Sequence, residues 1–365
     1  MSTILKLQGV SKSYGEQQVL KPISFEVGEG ERICILGPSG CGKSTLLQLV
    51  AGLTRIDAGE IEINGVVVER GKGHYVPPEN RPINMVFQDY ALWPHMSIRQ
   101  NIEYGMKRRK VAKSDMENRL RRLQSLLKLD GLLERLPAQL SGGQQQRVGI
   151  ARALATEPRL LLMDEPLSNL DVKLRTDMRS ELAGLLGDLS IATLYVTHDR
   201  MEAFTIADRI LVLREGGIDQ IGSPDELFER PATPWVAQLM GYHNRLNISF
   251  ADGGSPVSLA AGTPIRGVRM TSGAHAGSGS GVMMLHPETI SVSEQPVGDD
   301  ENCMETRAVH AIYEGTRWRL IVETADGQPI HLFHNRGIEP GTRLTVHLPS
   351  QNVMLYADPA LAGNG

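Results

Sequence analysis

The sequence predicts an α/β protein that ends in a small all-β domain, and three observations carry that prediction. To about residue 240, strand-like apolar runs alternate with helical patterns, the arrangement that builds a largely parallel sheet. Early in that stretch a glycine-rich segment, Gly37-Pro38-Ser39-Gly40-Cys41-Gly42-Lys43-Ser44-Thr45, lies between an apolar run and a helical one. After Gly241 the composition shifts to Gly/Ser-rich stretches, such as residues 272–281, separated by short runs of alternating polarity, which suit a small barrel or sandwich. At 365 residues the chain is long enough for two domains, read here as 1–240 and 241–365.

The totals narrow the functional classes. With 41% hydrophobic and 22% charged residues, the composition is that of a globular domain. A formal charge of −4 gives no global nucleic-acid signal, and no nucleic-acid partner is expected. The basic runs Lys107 to Lys110 and Arg119 to Arg122 read first as solvated helix faces, with a membrane headgroup contact as the other reading. No apolar run has the length of a membrane span, and Met1 to Gln8 lack the apolar core of a signal peptide. Cys34, Cys41 and Cys303 have no metal-ligand spacing and make no disulfide framework, so a reducing compartment is expected.

Taken in order, Arg32-Ile33-Cys34-Ile35-Leu36 is apolar enough for a buried parallel strand, and Leu46 to Val50 reads as helix. Between them, residues 37–45 fit G-x-x-x-x-G-K-[ST], a loop that turns backbone N–H groups inward around a phosphate chain. Its glycines let the main chain approach phosphate oxygens with no Cβ in the way, and the following helix adds its dipole. In this pattern Lys43 reaches the β- and γ-phosphates and the Ser44 hydroxyl holds Mg²⁺. Cys41, near Lys43 and a helix N-terminus, is expected to favour the thiolate. Ile61 to Val68 reads as a hairpin turning at Asn64-Gly65. Residues 114–129 read as an amphipathic helix, capped by Ser114 with Glu117 and burying Leu120, Leu123 and Leu127. Helical signal continues to about Ala155, so residues 89–156 are expected to be a helical insertion.

The last helix of that block opens on Leu140-Ser141-Gly142-Gly143-Gln144-Gln145-Gln146-Arg147. Ser141 with Gln144 satisfies the capping-box pattern, and the free N–H groups of a Ser-Gly-Gly start make a second anion site. Next, Arg159 to Pro166 is an apolar strand that ends in two carboxylates. Asp164 is suited to hold Mg²⁺ directly or through water, and Glu165 to accept a proton from an attacking water as general base. Leu194-Tyr195-Val196-Thr197-His198-Asp199 is another strand with a polar end. In the C-terminal part, Arg319 to Thr324 and Arg343 to Leu348 are the clearest strands.

From residue 3 to about 240 this order of motifs resembles the nucleotide-binding subunits of ATP-binding cassette (ABC) transporters. The resemblance implies a P-loop NTPase (RecA-like) core with a helical subdomain, and an ATPase using ATP and Mg²⁺. Leu140 to Arg147 is similar to the family's signature motif. His198 matches its switch histidine at the γ-phosphate, and Gln88, in Val86-Phe87-Gln88-Asp89, its glutamine loop that touches Mg²⁺. Ser168-Asn169-Leu170-Asp171 matches the loop that crosses a dimer interface, and Tyr14 the ring stacked on adenine. Two copies are thereby expected to pack head to tail, each ATP lying between Gly37–Thr45 of one and Ser141–Gln144 of the other, with Lys43, Glu165 and His198 as the catalytic set.

A free-standing single cassette with a β-rich tail resembles the ATPase subunit of bacterial binding-protein-dependent importers. Residues 77–96 are similar to the subfamily for sugars, polyamines, ferric iron, sulfate or phosphonates, leaning slightly toward iron, polyamines and phosphonates. That resemblance implies a permease coupling helix in a groove near Gln88, floored by Trp93 and Met96. It also implies an external solute-binding protein as indirect partner, and a peripheral place on the cytoplasmic face of the inner membrane. The C-terminal region resembles the OB/TOBE-like modules of these subunits, although His286 in Leu285-His286-Pro287-Glu288 stands where an arginine is usual. Regulation and dimer stabilisation both stay open for it. The alternative is a non-transport ABC ATPase acting on a macromolecular partner.

Overall fold

The computed structural model describes residues 2–71, 73–250, 256–258, 265–269, 279–294 and 302–357. They divide into two compact units, residues 1–224 and 225–365. The first begins with β1 (Thr3–Tyr14), β2 (Gln17–Gly28), β3 (Arg32–Leu36), α1 (Lys43–Ala51), β4 (Ala58–Ile63), β5 (Val66–Arg70), β6 (His74–Tyr75) and β7 (Ile83–Val86). Asn64 and Gly65 both take positive φ, 52° and 77°, as the two-residue turn between β4 and β5 requires. The helical block follows as α2 (Ile98–Arg108), α3 (Lys113–Leu126) and α4 (Gly142–Leu154). The unit closes with β8 (Leu160–Asp164), α5 (Val172–Leu189), β9 (Ala192–Thr197), α6 (Arg200–Ile206), β10 (Arg209–Arg214) and β11 (Gly217–Gly222).

These strands form two sheets, ordered β2-β1-β4-β5-β6 and β11-β10-β3-β9-β8-β7. The first is antiparallel. In the second, β10, β3, β9, β8 and β7 run parallel, with β11 antiparallel at one edge. Both faces of a parallel sheet are covered, which is why Ile33 to Leu36 and Leu160 to Met163 are continuous apolar runs without exposure. A single core joins Leu46, Leu47, Leu49 and Val50 of α1 to Ile33, Leu160 and Val196 of one sheet and Leu5, Ile61 and Ile63 of the other.

The helix expected from 114 is present, and Leu120, Leu123 and Leu127 are buried as its pattern required. Its cap is not. The N-cap position falls at Ala112 without a side-chain bond, so Ser114 lies inside the first turn. Glu117 turns instead to Arg99, 3.5 Å away. The capping box of this region lies at Ser97 and Gln100, at the start of α2.

The second unit continues from α7 (Pro224–Glu229) through α8 (Pro234–Met240), β12 (Asn244–Phe250), β13 (Pro256–Ser258), β14 (Val268–Arg269), β15 (Gly279–Leu285) and β16 (Ser291–Ser293). It ends with β17 (Asn302–Tyr313), β18 (Trp318–Thr324), β19 (Pro329–His334), β20 (Arg343–Leu348) and β21 (Val353–Ala357). Two five-stranded sheets, β13-β12-β15-β21-β14 and β16-β20-β17-β18-β19, share a core that includes Leu246, Met283 and Leu355 with Leu320, Leu332 and Val346. The two expected strands are β18 and β20. Of the Gly/Ser-rich stretch, residues 272–278 lie outside the described residues. His286 is held locally: its Nδ1 accepts from the Glu288 N–H, and its ring packs edge-on against Phe228 and Tyr242, each 5.5 Å away.

Candidate nucleotide site

The parallel strands all end at one rim of their sheet, and their register decides which loops meet there. Leu36 pairs with Thr197, Val196 with Asp164, and Met163 with Val86. The segment from Gly37, His198, Glu165 and Gln88 therefore leave from adjacent strand ends.

The glycine-rich loop leaves β3 under tight constraint. A Cβ on Gly37 would lie 2.3 Å from the Leu213 carbonyl oxygen and 2.8 Å from Cys41 Sγ. Pro38, Ser39 and Gly40 form the exposed crown, while Cys41, Gly42 and Lys43 are buried and Thr45 half-buried. Gly42, at φ 104°, starts α1 and rests against Leu20 Cδ2 of β2. Lys43 folds into the loop, its Nζ donating to the Gly37 and Pro38 carbonyls at 2.9 Å each. Ser44 is exposed and its hydroxyl donates to Asp164 Oδ1 at 3.1 Å. Burial raises the Asp164 carboxyl above the ordinary range, against the pull of that hydrogen bond. Cys41 departs from its expectation: it is 5% exposed, and burial pushes its thiol up despite the opposing charge of Lys43. The loop buries the sulfur rather than presenting a thiolate.

Glu165 follows β8 with a left-handed backbone, φ 44°, unusual for a residue with a Cβ. It is held on both sides: its N–H donates to the Val196 carbonyl at 3.0 Å, and its carbonyl accepts from Ser168 Oγ at 2.8 Å. His198 Nδ1 lies 3.1 Å from Glu165 Oε2, within hydrogen-bonding distance of the carboxyl group. Behind it, Glu202 on α6 is 3% exposed and accepts from the Tyr195 and Thr197 hydroxyls at 2.9 and 2.8 Å. Burial pushes the Glu202 carboxyl up, the two hydroxyls opposing. Asp199 caps α6 by accepting from the Met201 N–H at 2.7 Å.

Ser141 caps α4 as expected, accepting from the Gln144 N–H while Gln144 Oε1 accepts from the Ser141 N–H. Gly142 and Gly143 let this helix start lie against Leu170 and Leu174; a Cβ on Gly143 would come 3.3 Å from Leu174. Asp171 is the N-cap of α5, accepting from the Leu174 N–H at 2.9 Å. Arg175 ties the preceding loop by donating to the Ser168 and Leu170 carbonyls. Gln88 keeps an exposed side chain, and its carbonyl accepts from Asn169 Nδ2 at 2.9 Å. Tyr14 is 50% exposed at the β1–β2 turn, with Lys12 over its ring. The holding contacts made by Glu202, Asn169 and Arg175 went unread in the sequence, because each joins positions that no single motif links.

Five residues past Gln88, the Trp93 ring lies 4.5 Å from that of Tyr104, tilted by 47°, and His95, Met96, Gln100, Tyr104 and Lys107 line an open cavity of about 390 Å³. Among the described residues, no helix is long and apolar enough to cross a membrane, and no cluster of three His, Cys, Asp or Glu could hold a metal.

The profile of the ABC transporter family matches residues 20–168, and that of the TOBE domain residues 283–355. The chain is 41% identical over 361 residues to the sn-glycerol-3-phosphate import ATP-binding protein UgpC of Salmonella typhimurium, spanning 96% of this chain and 97% of the relative. With UgpC 2 of Rhizobium johnstonii it shares 42% identity over 346 residues, 94% of each chain. Among solved structures, the dimeric bacterial ABC transporter cassette MJ0796 matches with a TM-score of 0.53 at 30% identity, over 60% of this chain and 99% of that one. A post-hydrolysis form of that cassette, bound to ADP and Pi, matches with a TM-score of 0.52 at the same identity and coverage. The relatives' names give sn-glycerol 3-phosphate, not the iron, polyamines or phosphonates toward which residues 77–96 lean. Likeness over nearly the whole length, with both domain profiles in order, makes this chain a member of the ABC transporter family, an importer-type ATP-binding subunit and ATPase that carries a TOBE domain.

Proposed function

We propose that two copies of this chain close head to tail on two ATP molecules and so drive a permease that imports sn-glycerol 3-phosphate. The observation that carries the reading is the sheet rim, where Ser44 meets Asp164 and Glu165 meets His198. The cargo follows the names of the relatives, two of which align over nearly their whole length.

The residues take these parts. Backbone N–H groups of residues 37–45 cradle the phosphates, and Lys43 releases the loop carbonyls to reach the β- and γ-phosphates. Ser44 and Asp164 are hard oxygen donors only 3.1 Å apart, a set that fits Mg²⁺, which takes few protein ligands and completes its shell with phosphate and water. With Gln88 they would hold the ion, which would neutralise phosphate charge. Glu165 accepts the proton of the attacking water, and His198, oriented through Nδ1, presents Nε2 toward the γ-phosphate. Tyr14 stacks on adenine. Ser141 to Gln144 of one copy close over the nucleotide of the other, with Asp171 at the seam. The Trp93–Tyr104 shelf, with Met96, receives the permease on the cytoplasmic face of the membrane.

Glu165→Gln tests this reading. It should bind ATP, sediment as a dimer with MgATP, and release phosphate at least about a hundredfold more slowly than the parent. A parent chain without ATP hydrolysis, or a variant that stays monomeric with MgATP, removes the proposal. Membranes from cells making the chain should yield it with a permease, and vesicles bearing the pair should take up radiolabelled sn-glycerol 3-phosphate.

A further inference from the structure

We propose that Arg152, on α4, is a positioning residue that transmits closure at Ser141 to the Trp93 shelf where the permease docks. The inference rests on the function proposed above and extends it to a residue outside the nucleotide motifs.

Segment 88–93 links the sheet rim to that shelf, and three side chains from three places hold it. Asn169 Nδ2 holds the Gln88 carbonyl. Asn101, fully buried on α2, accepts from the Trp93 N–H at 2.9 Å and donates to the Trp93 carbonyl at 3.2 Å. Arg152 alone of the three comes from the helix that opens with Ser141. It donates from one guanidinium nitrogen to the Ala91 carbonyl at 2.7 Å and from another to the Tyr90 carbonyl at 2.8 Å. The same guanidinium lies over the Trp93 ring, 4.9 Å from its centroid.

The turn that Arg152 grips is one the chain would not hold by itself. Tyr90 and Ala91 are consecutive non-glycine residues with left-handed backbones, φ 59° and 43°. Both carbonyls point to one cation, and a planar fork suits two adjacent acceptors as a single ammonium does not. One turn earlier on α4, a Cβ on Gly149 would lie 3.3 Å from Tyr90 Cβ, so the helix backbone packs directly against the turn. Burial draws the Arg152 guanidinium down from its ordinary range, with Asp89 opposing. From Ser141 to Arg152, eleven residues of helix span about 16 Å at 1.5 Å each. A rigid helix pulled at its start carries the guanidinium with it, and the Tyr90–Ala91 turn and Trp93 must follow.

Trp93 reports on this directly. Replacing Trp235 and Trp318 by Phe, in a Glu165→Gln background, leaves Trp93 as the sole tryptophan. MgATP should shift its emission while the protein sediments as a dimer. Adding Arg152→Met should abolish the shift without abolishing the dimer, and Arg152→Lys should restore only part of it. A shift that persists unchanged in a dimerising Arg152→Met protein overturns the proposal. So does a parent that dimerises with no shift. If the parent does not dimerise with MgATP, the failure belongs to the function proposed above, and this inference falls with it. Should Arg152→Met melt at low temperature, Arg152→Lys decides alone: a full parental shift counts against the fork, a reduced one for it.

Discussion

Lys43 and Cys41 stand two residues apart in one loop and are treated oppositely by it. The Lys43 ammonium is buried, but two carbonyls satisfy it, which offsets the cost of leaving water. Lys43→Ala should therefore weaken ATP binding by at least about tenfold, since it removes a charge-assisted phosphate contact. Titration with a fluorescent nucleotide checks this; unchanged affinity would take Lys43 out of the site. At Cys41 burial outweighs the opposing Lys43 charge and backbone N–H groups, so native protein at pH 7.5 should react with iodoacetamide at least about tenfold more slowly than the unfolded chain. Equal rates would show an accessible thiol. At this scale the sequence was legible where function is written in consecutive residues, as in 37–45 or 164–165. It was silent on the bond from Asn169 to the Gln88 carbonyl, 81 residues away, and on Glu202, whose two hydroxyl partners belong to another element.

At the scale of elements, caps and turns decide where the helices and loops of the site begin. Ser97→Ala should cost about 1 kcal/mol of stability, because Ser97 is the true cap of α2. Ser114→Ala should stay within about 0.5 kcal/mol, because the first turn of α3 places that hydroxyl where no cap bond forms. Urea denaturation of the two variants separates these outcomes, and the reverse order would restore the sequence-based cap. Local pattern found α3 and its buried leucines, yet the cap turned on where the helix starts, which propensity fixes least well. Gly37→Ala should be worse than either, by about 1–3 kcal/mol, since the added methyl meets a backbone carbonyl that has nowhere to go. The Tyr90–Ala91 turn belongs here too. Each left-handed residue costs about 1–2 kcal/mol, and hydrogen bonds to a charged group return about 1.5–3 kcal/mol each, so Arg152 covers the cost of the turn it holds.

Across the whole molecule, the two units have separate hydrophobic cores, each closed by its own sheets. Calorimetry should therefore resolve two unfolding transitions, of which MgATP raises only the one belonging to residues 1–224. At a hundred times the dissociation constant that stabilisation is about 2.7 kcal/mol. A common shift of both transitions would mean that the units do not unfold independently. The α/β core, the helical insertion and the β-rich tail were all legible, because parallel strands and alternating strands leave different apolar patterns. The strand order β11-β10-β3-β9-β8-β7 was not, since nothing local states which strands become neighbours. That order gathers the motifs at one rim.

The left-handed backbone of Glu165 has a consequence for anyone improving this protein. The side chain proposed for proton transfer occupies a torsion that a shorter residue such as Asn tolerates better. Glu165→Asn should melt no lower than the parent while hydrolysing ATP at least about a hundredfold more slowly. If Glu165 is the base proposed above, laboratory evolution that selects this chain for thermal endurance alone will tend to discard it, and will collect robust proteins that no longer turn over.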